Sequence, residues 1–154
     1  MHIRLLTSTT DDCFLQVLEQ NYTLWYEKEQ WSKLKLAENL AYSLQTNQLP
    51  LTIVATRDGQ LLGTCQLAMN DLDVRPNYYP WLINLSVLPA MQQQGVARQL
   101  IERAIAEGAR LQLPALYLYT EHNGLFEKFG FTFVEQIAVE PESNEVVRIY
   151  RYTY

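Results

Sequence analysis

The stretch WLINLSVLPAMQQQGVARQL, residues 81–100, decides the fold of this chain. Residues 81–87 are apolar almost throughout, which is typical of a strand buried on both faces. Pro89 ends that strand, and a loop then leads to Gly95 at the start of an amphipathic helix. The apolar residues that recur at helical spacing are Val96, Ala97, Leu100, Ile101, Ala104, Ile105 and Leu111. The stretch therefore predicts a buried strand, a loop and a helix in direct succession.

Further strands and helices are predicted on both sides of this stretch. The predicted strands are residues 3–6, 51–56, 61–69, 81–87, 115–120, 131–139 and 145–152. The predicted helices are residues 11–26, 32–44, 96–111 and 124–129. Alternation in the last strand is typical of an edge or half-exposed strand. The order β-α-α-β-β-β-α-β-α-β-β predicts an α/β (α+β) fold, with a mixed, mostly antiparallel β-sheet and helices on both faces.

Length and charge narrow the possible functions. A chain of 154 residues with 48% apolar and 19% charged residues predicts a single globular domain over residues 1–154. Its 12 basic and 17 acidic residues give a net charge of −5, which removes the usual electrostatic attraction to nucleic acid. An acidic protein suits a cationic small molecule better, and no nucleic-acid partner is expected.

Cysteine usage and hydropathy bear on the compartment. Cys13 and Cys65 are too few for a disulfide framework, and we expect them to be buried thiols in a reducing cytoplasm. No segment approaches the roughly 20 apolar residues of a membrane helix, and the N-terminus lacks the apolar core of a signal peptide. We therefore expect a cytoplasmic protein with no membrane partner, and we expect no bound metal.

The helix start at Gly95 is a candidate anion site. Helix N-termini present unpaired N–H groups and the positive end of the helix dipole, and glycine lets a ligand approach the backbone closely. Amides in this position can hold a pyrophosphate. A single glycine is a weak signal, and an ordinary strand–loop–helix turn would have the same pattern.

Two motifs resemble those of a known family. Residues 85–89, LSVLP, followed by residues 92–97, QQQGVA, are similar to the acyl-CoA-binding motif of the GNAT N-acetyltransferase superfamily. That motif reads Arg/Gln-x-x-Gly-x-Gly/Ala after a strand that ends in Val-x-Pro. Residues 125–131, LFEKFGF, resemble the family's Leu-Tyr-x-Lys-x-Gly-Phe segment. The resemblance implies an acetyl-CoA-dependent N-acyltransferase that acetylates a primary amine of a small molecule by direct transfer in a ternary complex.

The resemblance also implies where the co-substrate binds. Acetyl-CoA is expected in an opening of the sheet beside residues 81–87, where backbone groups of Leu85 and Val87 pair with the pantetheine arm. The Leu85 N–H is expected to stabilise the oxyanion. The residues expected to hold the pyrophosphate are Gln92, Gln93, Gln94, Gly95, Val96 and Ala97. Arg98 either adds a charge contact to them or is a solvated helix residue.

Two positions depart from the family pattern, and no general base is obvious. Gln93 stands where the family often has glycine, and Phe126 stands where it often has a tyrosine that protonates the leaving thiolate. The alternative role of Phe126 is a core ring packed against Phe129 and Phe131. The candidates for the general base are His122, Asp73, Asp71 and Glu121. The alternative for His122 is a histidine in a surface loop, and the alternative for Asp71 and Asp73 is a solvated turn.

Several functional alternatives stay open from the sequence. Aromatic residues in the second predicted element and just after it favour an acceptor pocket for a cationic amine, or amphipathic packing; they are Tyr22, Trp25, Tyr26 and Trp31. A peptide or protein N-terminus is the nearest alternative acceptor. The lack of an obvious acid and base fits a non-catalytic acyl-CoA-binding or sensor domain, and Gln93 fits an interaction module without CoA. A homodimer is compatible with each alternative.

Overall fold

The computed structural model describes all 154 residues of the chain. Its strands are β1 (His2–Leu5), β2 (Leu51–Arg57), β3 (Gln60–Ala68), β4 (Trp81–Val87), β5 (Ala115–Thr120), β6 (Thr132–Ala138) and β7 (Val146–Thr153). Its helices are α1 (Asp12–Asn21), which continues as a π-helical segment at Tyr22–Tyr26, α2 (Lys33–Tyr42) and α3 (Val96–Arg110). Short 3₁₀ turns lie at Pro89–Met91 and Phe126–Phe129. None of the helices is long and apolar enough to span a membrane.

All strands form one sheet in the order β1-β2-β3-β4-β5-β7-β6. Neighbouring strands are antiparallel, except that β4 and β5 are parallel. This confirms the predicted mixed, mostly antiparallel sheet, and the predicted bounds of β4 and β5 match the structure. Of the two alternatives for the last strand, the half-exposed one is confirmed, because β7 lies between β5 and β6 and has both buried and exposed residues. A polar residue is accommodated there because the Arg148 guanidinium stacks 4.1 Å from the ring centre of Phe133.

The two faces of the sheet are covered by different helices, as predicted. α3 packs on one face, where Leu100 belongs to a cluster of 16 buried residues. α1 and α2 pack on the opposite face, where Val17 and Leu36 belong to a second cluster. Successive residues of a strand serve opposite faces, so Ile53 packs in the first cluster and Val54 in the second. Each fully buried leucine or isoleucine side chain contributes about 1.5–3 kcal/mol to stability.

The sheet opens between its two parallel strands. β4 and β5 share one register position, Trp81 opposite Tyr117, and no further pairing follows toward the carboxyl end of β4. A β-bulge lies in the same part of β4, because Asn84 and Leu85 together oppose the single residue Cys65 of β3. Asn84 has a φ of +52°, in the left-handed region. The middle of the sheet therefore has a gap beside β4, and the bulge bends the strand at that gap.

The loop between β3 and β4 is anchored across the sheet. Arg75 and Tyr78 both donate hydrogen bonds to the Glu135 carboxylate of β6. The Tyr78 ring stacks on Tyr117, with ring centres 4.8 Å apart. Leu72 is buried against Trp81 in the small cluster beneath the loop. The acidic residues that follow β3 are therefore carried on a loop with fixed contacts.

Candidate active site

Helix α3 begins without a side-chain cap. Its N-cap is Gly95, which has a φ of +81° and no side chain to accept a hydrogen bond. The helix begins its main-chain bonding with the Gln99 N–H donating to the Gly95 carbonyl at 3.1 Å, so the amides of residues 96–98 have no partner within the helix. A Cβ added to Gly95 would have no heavy atom within 4 Å. The helix start is thus open to an anionic ligand.

The residues around this helix start are solvent-accessible. The side chains of residues 92–94 are exposed, and Gln93 has a φ of +62°, a conformation that favours glycine. Arg98 is also exposed, and its Nε lies 2.9 Å from the Glu102 carboxylate on the same helix. We call residues 92–98 the α3 side of the opening. Their predicted contacts with a pyrophosphate stay predictions.

Backbone groups of β4 face the gap in the sheet. The Leu88 N–H donates to the Leu62 carbonyl of β3 at 2.9 Å, which fixes the side that Leu88 faces. Leu85 belongs to the bulge, where regular alternation does not hold, so its orientation stays a prediction; the backbone groups of Val87 alternate with those of Leu88 and face away from β3. They therefore line the gap, where an extended ligand chain can pair with them as an added strand does.

A cavity of about 210 Å³ lies on the face of the sheet covered by α1 and α2. Apolar residues of both helices form part of its wall. Its aromatic residues include Tyr26 and Trp31, whose ring centres are 5.2 Å apart. Its polar residues include Asn21, Gln66 and Asn84, the last of which is the bulge residue of β4. We call this the cavity side of the opening.

Asp71 is an acidic residue in unusual surroundings. It is half-buried in the β3–β4 loop, and burial raises its pKa to about 7, with repulsion from Asp73 and Glu29 adding to the rise. Burial, followed by the Asp71 charge, raises the pKa of Tyr119 to about 12. Burial also raises the pKa of Tyr26, and Asp71 adds to this rise. Asp71 therefore shares its surroundings with Tyr119 and with the cavity residue Tyr26.

The other predicted base candidates lie in water. Asp73, Glu121 and His122 are exposed, whereas Asp71 is half-buried, and none of the four residues is part of the cavity wall. The His122 backbone N–H donates to Thr120 Oγ1 at 3.0 Å, which holds the turn after β5. Asp71 is therefore the one candidate of the four that is partly buried, and its pKa is raised to about 7.

Phe126 is a core residue, which agrees with the predicted alternative of a packed ring. Its side chain is 6% exposed. Its ring centre lies 5.9 Å from that of Phe131 and 6.3 Å from that of Tyr150. The position therefore supplies packing and no proton.

Sequence reasoning missed a buried polar chain on the cavity side. The motifs in the sequence do not single out Thr52, Gln66 or Asn84. Thr52 and Gln66 are buried in strands that are otherwise largely apolar. A polar residue at a buried strand position needs a partner, and that signal in β2 and β3 points to a network.

The family comparison agrees with this geometry. The sequence model of the acetyltransferase (GNAT) family matches residues 13–131. This range includes β4, the α3 side and the turn that contains Phe126. No curated protein sequence matches the chain significantly.

Solved structures with the same fold are distant in sequence. An aminoglycoside 6′-N-acetyltransferase complexed with coenzyme A has 16% identity and a TM-score of 0.77, over 99% of this chain and 97% of that chain. A ribosomal-protein-alanine N-acetyltransferase from Brucella melitensis has 14% identity and a TM-score of 0.77, over 100% of both chains. An acyl-CoA N-acyltransferase from Pseudomonas aeruginosa has 22% identity and a TM-score of 0.70, over 99% of both chains.

Proposed function

The chain belongs to the acetyltransferase (GNAT) family, and from that premise we propose that it transfers an acetyl group from acetyl-CoA to a primary amine of a small cationic molecule. The observation that carries the proposal is the aromatic cavity that reaches the bulge of β4, lined by Tyr26, Trp31 and Asn84. The half-buried Asp71 carboxyl is near enough for its charge to raise the pKa of Tyr26. A carboxylate and aromatic rings together attract an ammonium group. A carboxyl with a pKa near 7 is also suited to take a proton at neutral pH.

In the proposed reaction, acetyl-CoA binds in the gap beside β4. The amides of the α3 side hold the pyrophosphate, and the backbone groups of Leu85 and Val87 pair with the pantetheine arm. The thioester carbonyl is proposed to accept the Leu85 N–H. Negative charge that develops on this oxygen during attack is then stabilised by a fixed donor.

Asp71 is proposed as the general base. The amine nitrogen attacks the thioester carbon, the nitrogen–carbon bond forms, and Asp71 takes the amine proton directly or through one water. The tetrahedral intermediate then expels the CoA thiolate. The pKa of a thiol is about 8.5, so the CoA thiolate leaves without an acid at the Phe126 position. The thiolate takes its proton from water, and no covalent acyl-enzyme is required.

The preference for a small molecule rests on cavity size and charge. A cavity of about 210 Å³ is smaller than the clefts of about 300–1,000 Å³ that hold drug-sized ligands, and it suits one amine-bearing arm of a molecule. The net charge of −5 favours a cation. Aminoglycoside acetyltransferases share the fold and act on cationic small molecules. The ribosomal-protein-alanine acetyltransferase shares it as well, and makes a peptide N-terminus the second candidate acceptor.

The first test is calorimetric titration with acetyl-CoA, with free CoA as the control. We expect micromolar binding, followed by thiol release when spermidine, tryptamine or kanamycin is added. An alanine-initiated hexapeptide serves as the comparison acceptor, and we expect it to react at least tenfold more slowly. Binding without turnover of any acceptor would make the chain an acyl-CoA sensor. The absence of binding would favour an interaction module.

A further inference from the structure

A chain of hydrogen bonds runs from a backbone carbonyl to Asn84. Thr52 Oγ1 donates to the Ser43 carbonyl at 2.8 Å. Gln66 Nε2 donates to Thr52 Oγ1 at 3.1 Å, and Asn84 Nδ2 donates to Gln66 Oε1 at 2.7 Å. The chain links four segments of the sequence, and its last member lies at the bulge of β4.

The first bond of this chain fixes the direction of all the others. A carbonyl can only accept, so the single hydrogen of Thr52 Oγ1 is committed to Ser43. The Thr52 oxygen must then accept from Gln66 Nε2, which turns the Gln66 oxygen toward Asn84. The Asn84 NH₂ group must in turn face Gln66. The amide orientation of Asn84 is therefore determined by hydrogen-bond chemistry rather than chosen freely.

This orientation leaves the Asn84 oxygen without a good donor. Asn84 Nδ2 also donates to the Tyr26 hydroxyl at 3.2 Å. The two hydrogens of the Asn84 NH₂ group are therefore both used, one by Gln66 Oε1 and one by Tyr26. Asn84 Oδ1 is 3.5 Å from the same hydroxyl, longer than an ordinary O–H···O bond of about 2.5–3.0 Å. Asn84 lines the cavity and directly precedes Leu85.

A second, independent residue of the cavity has the same unmet need. Asn21 also lines the cavity, is 3% exposed, and its Oδ1 has no hydrogen-bond partner. A buried carbonyl oxygen without a donor costs free energy unless a ligand supplies one. Two amide oxygens in one cavity therefore point to a ligand that brings N–H donors.

We propose that Asn84 binds the acceptor, its Oδ1 accepting an N–H of the amine beside the Leu85 amide, with Thr52 and Gln66 as positioning residues that hold this oxygen in place. The inference rests on the proposed acetyl transfer and deepens it. The acceptor class is an amine with a second polar group, such as a diamine or amino sugar, because the buried Asn21 amide, whose Oδ1 has no partner in the protein, lines the same cavity.

The chain contains a matched control for this proposal. Thr52 and Thr64 are both 0% exposed, and each hydroxyl donates to a main-chain carbonyl at 2.8 Å. Thr64 donates to Ile53 and has no bond to Gln66 or Asn84. Valine at either position has the shape of threonine without the hydroxyl, so both variants lose the same buried bond to a main-chain carbonyl, and only Thr52→Val also removes the acceptor of Gln66.

Thr52→Val is expected to release the orientation of the amide chain. The Gln66 NH₂ would face a methyl group, and buried N–H groups tolerate this less well than buried carbonyls. Gln66 and Asn84 would both rotate and present an NH₂ group to the amine. We expect the KM for the amine to rise at least fivefold, with the dissociation constant of acetyl-CoA unchanged. Thr64→Val is expected to leave the amine KM within twofold.

Asn84→Gly supplies the second measurement. Glycine adopts the φ of +52° readily, so this variant removes the side chain and keeps the bulge. The amine KM should rise at least tenfold, and adding Thr52→Val to Asn84→Gly should raise it no further. The amine used is whichever of spermidine, tryptamine and kanamycin the unaltered protein acetylates fastest.

The possible results separate the two proposals. Thiol release by the unaltered protein, with equal amine KM for the two valine variants, would overturn the role of Asn84 and leave acetyl transfer standing. Additive effects in the double variant would also reject it, since Thr52 would then act on stability alone. No thiol release with any of the acceptors would reject both proposals.

Discussion

The α3 side and the cavity side of the β4 opening offer opposite hydrogen-bonding groups. The α3 side presents backbone N–H donors from consecutive residues, 96–98, at a helix start. The cavity side presents amide oxygens of Asn21 and Asn84, and the charge of the half-buried Asp71 raises the pKa of the cavity residue Tyr26. Donors suit an anionic co-substrate and acceptors suit an amine. One strand therefore separates two surfaces of opposite hydrogen-bonding character, and the α3 side is local in sequence whereas the cavity side is assembled from distant segments.

The other two helices show what the α3 side lacks. Asp11 caps α1, where its Oδ1 accepts from the Cys13 N–H at 2.9 Å. Ser32 caps α2, where its Oγ accepts from the Lys35 N–H at 3.0 Å. Each cap satisfies amides that would otherwise be available to a ligand. Gly95 has no such group, so α3 is the one of the three helices that begins without a side-chain cap.

The largest expected effect comes from giving α3 a cap of its own. In Gly95→Asp the new carboxylate would bind the first-turn amides and repel the phosphates. We expect the dissociation constant of acetyl-CoA to rise about a thousandfold, which is about 4 kcal/mol. Calorimetric titration measures it, and circular dichroism checks the fold.

Gly59→Asp is the matched control for that experiment. Gly59 has a φ of +78°, and a Cβ there also meets no heavy atom within 4 Å. It lies in the β2–β3 turn, outside residues 92–98. Both aspartates carry similar backbone strain, but only Gly95→Asp should weaken binding. Equal losses in the two variants would mean that strain, not the amide site, explains the result.

The order of strand, loop and helix at the α3 side was predictable because its information is local, whereas the ligand contacts there came from the family resemblance and stay predictions. A buried strand, a proline, a glycine and an amphipathic pattern follow one another within residues 81–100, so spacing alone orders them. The cavity side was not predictable in the same way. The loop position of Asp71 and Asp73 gave both carboxylates equal standing, and only the packing of the loop distinguishes the buried one from the exposed one. The partner of Asn84 is Gln66, which lies on another strand.

The second prediction tests the proposed base on the cavity side. In Asp71→Asn the carboxylate is lost at constant size, and we expect kcat/KM to fall about a hundredfold. The unaltered protein should show a kcat/KM that rises with pH through an inflection near 7, and the variant should lose that inflection. Asp73→Asn, an exposed carboxylate on the same loop, should keep both the rate and the inflection. A variant of Asp71 with the normal pH profile would exclude it as the base.

The same carboxyl links stability to pH. Its pKa is raised from the usual 3.8 to about 7, so the folded protein binds this proton more tightly than the unfolded chain does. The stabilisation is complete below about pH 4 and is lost as pH rises through about 7. We expect the unaltered protein to lose about 1–2 kcal/mol over this range relative to Asp71→Asn, after allowing for solvent screening. Denaturant titrations at several pH values measure this difference.

The third prediction sharpens the α3 side. Gln93 has a φ of +62°, which costs a non-glycine residue roughly 1 kcal/mol. Gln93→Gly should therefore preorganise the loop and tighten acetyl-CoA binding about threefold. Gln112→Gly is the control, since Gln112 has a φ of +58° just beyond the other end of α3. Both variants should gain similar stability, and a gain in affinity from both would show that the loop has no local role.

The smallest effect on rate is expected at Phe126, the position where the family often has tyrosine. Phe126→Tyr restores the phenol that the resemblance leads one to expect, but the ring is 6% exposed and packs against Phe131 and Tyr150. A hydroxyl forced into this cluster should lower stability by about 1 kcal/mol, while kcat changes less than twofold because a thiolate leaves without an acid. Phe133→Tyr, at a side chain 47% exposed, should leave stability unchanged. A tenfold rise in kcat for Phe126→Tyr would instead mean that thiolate protonation limits the reaction, and that the ring can reach the gap from its place in the core.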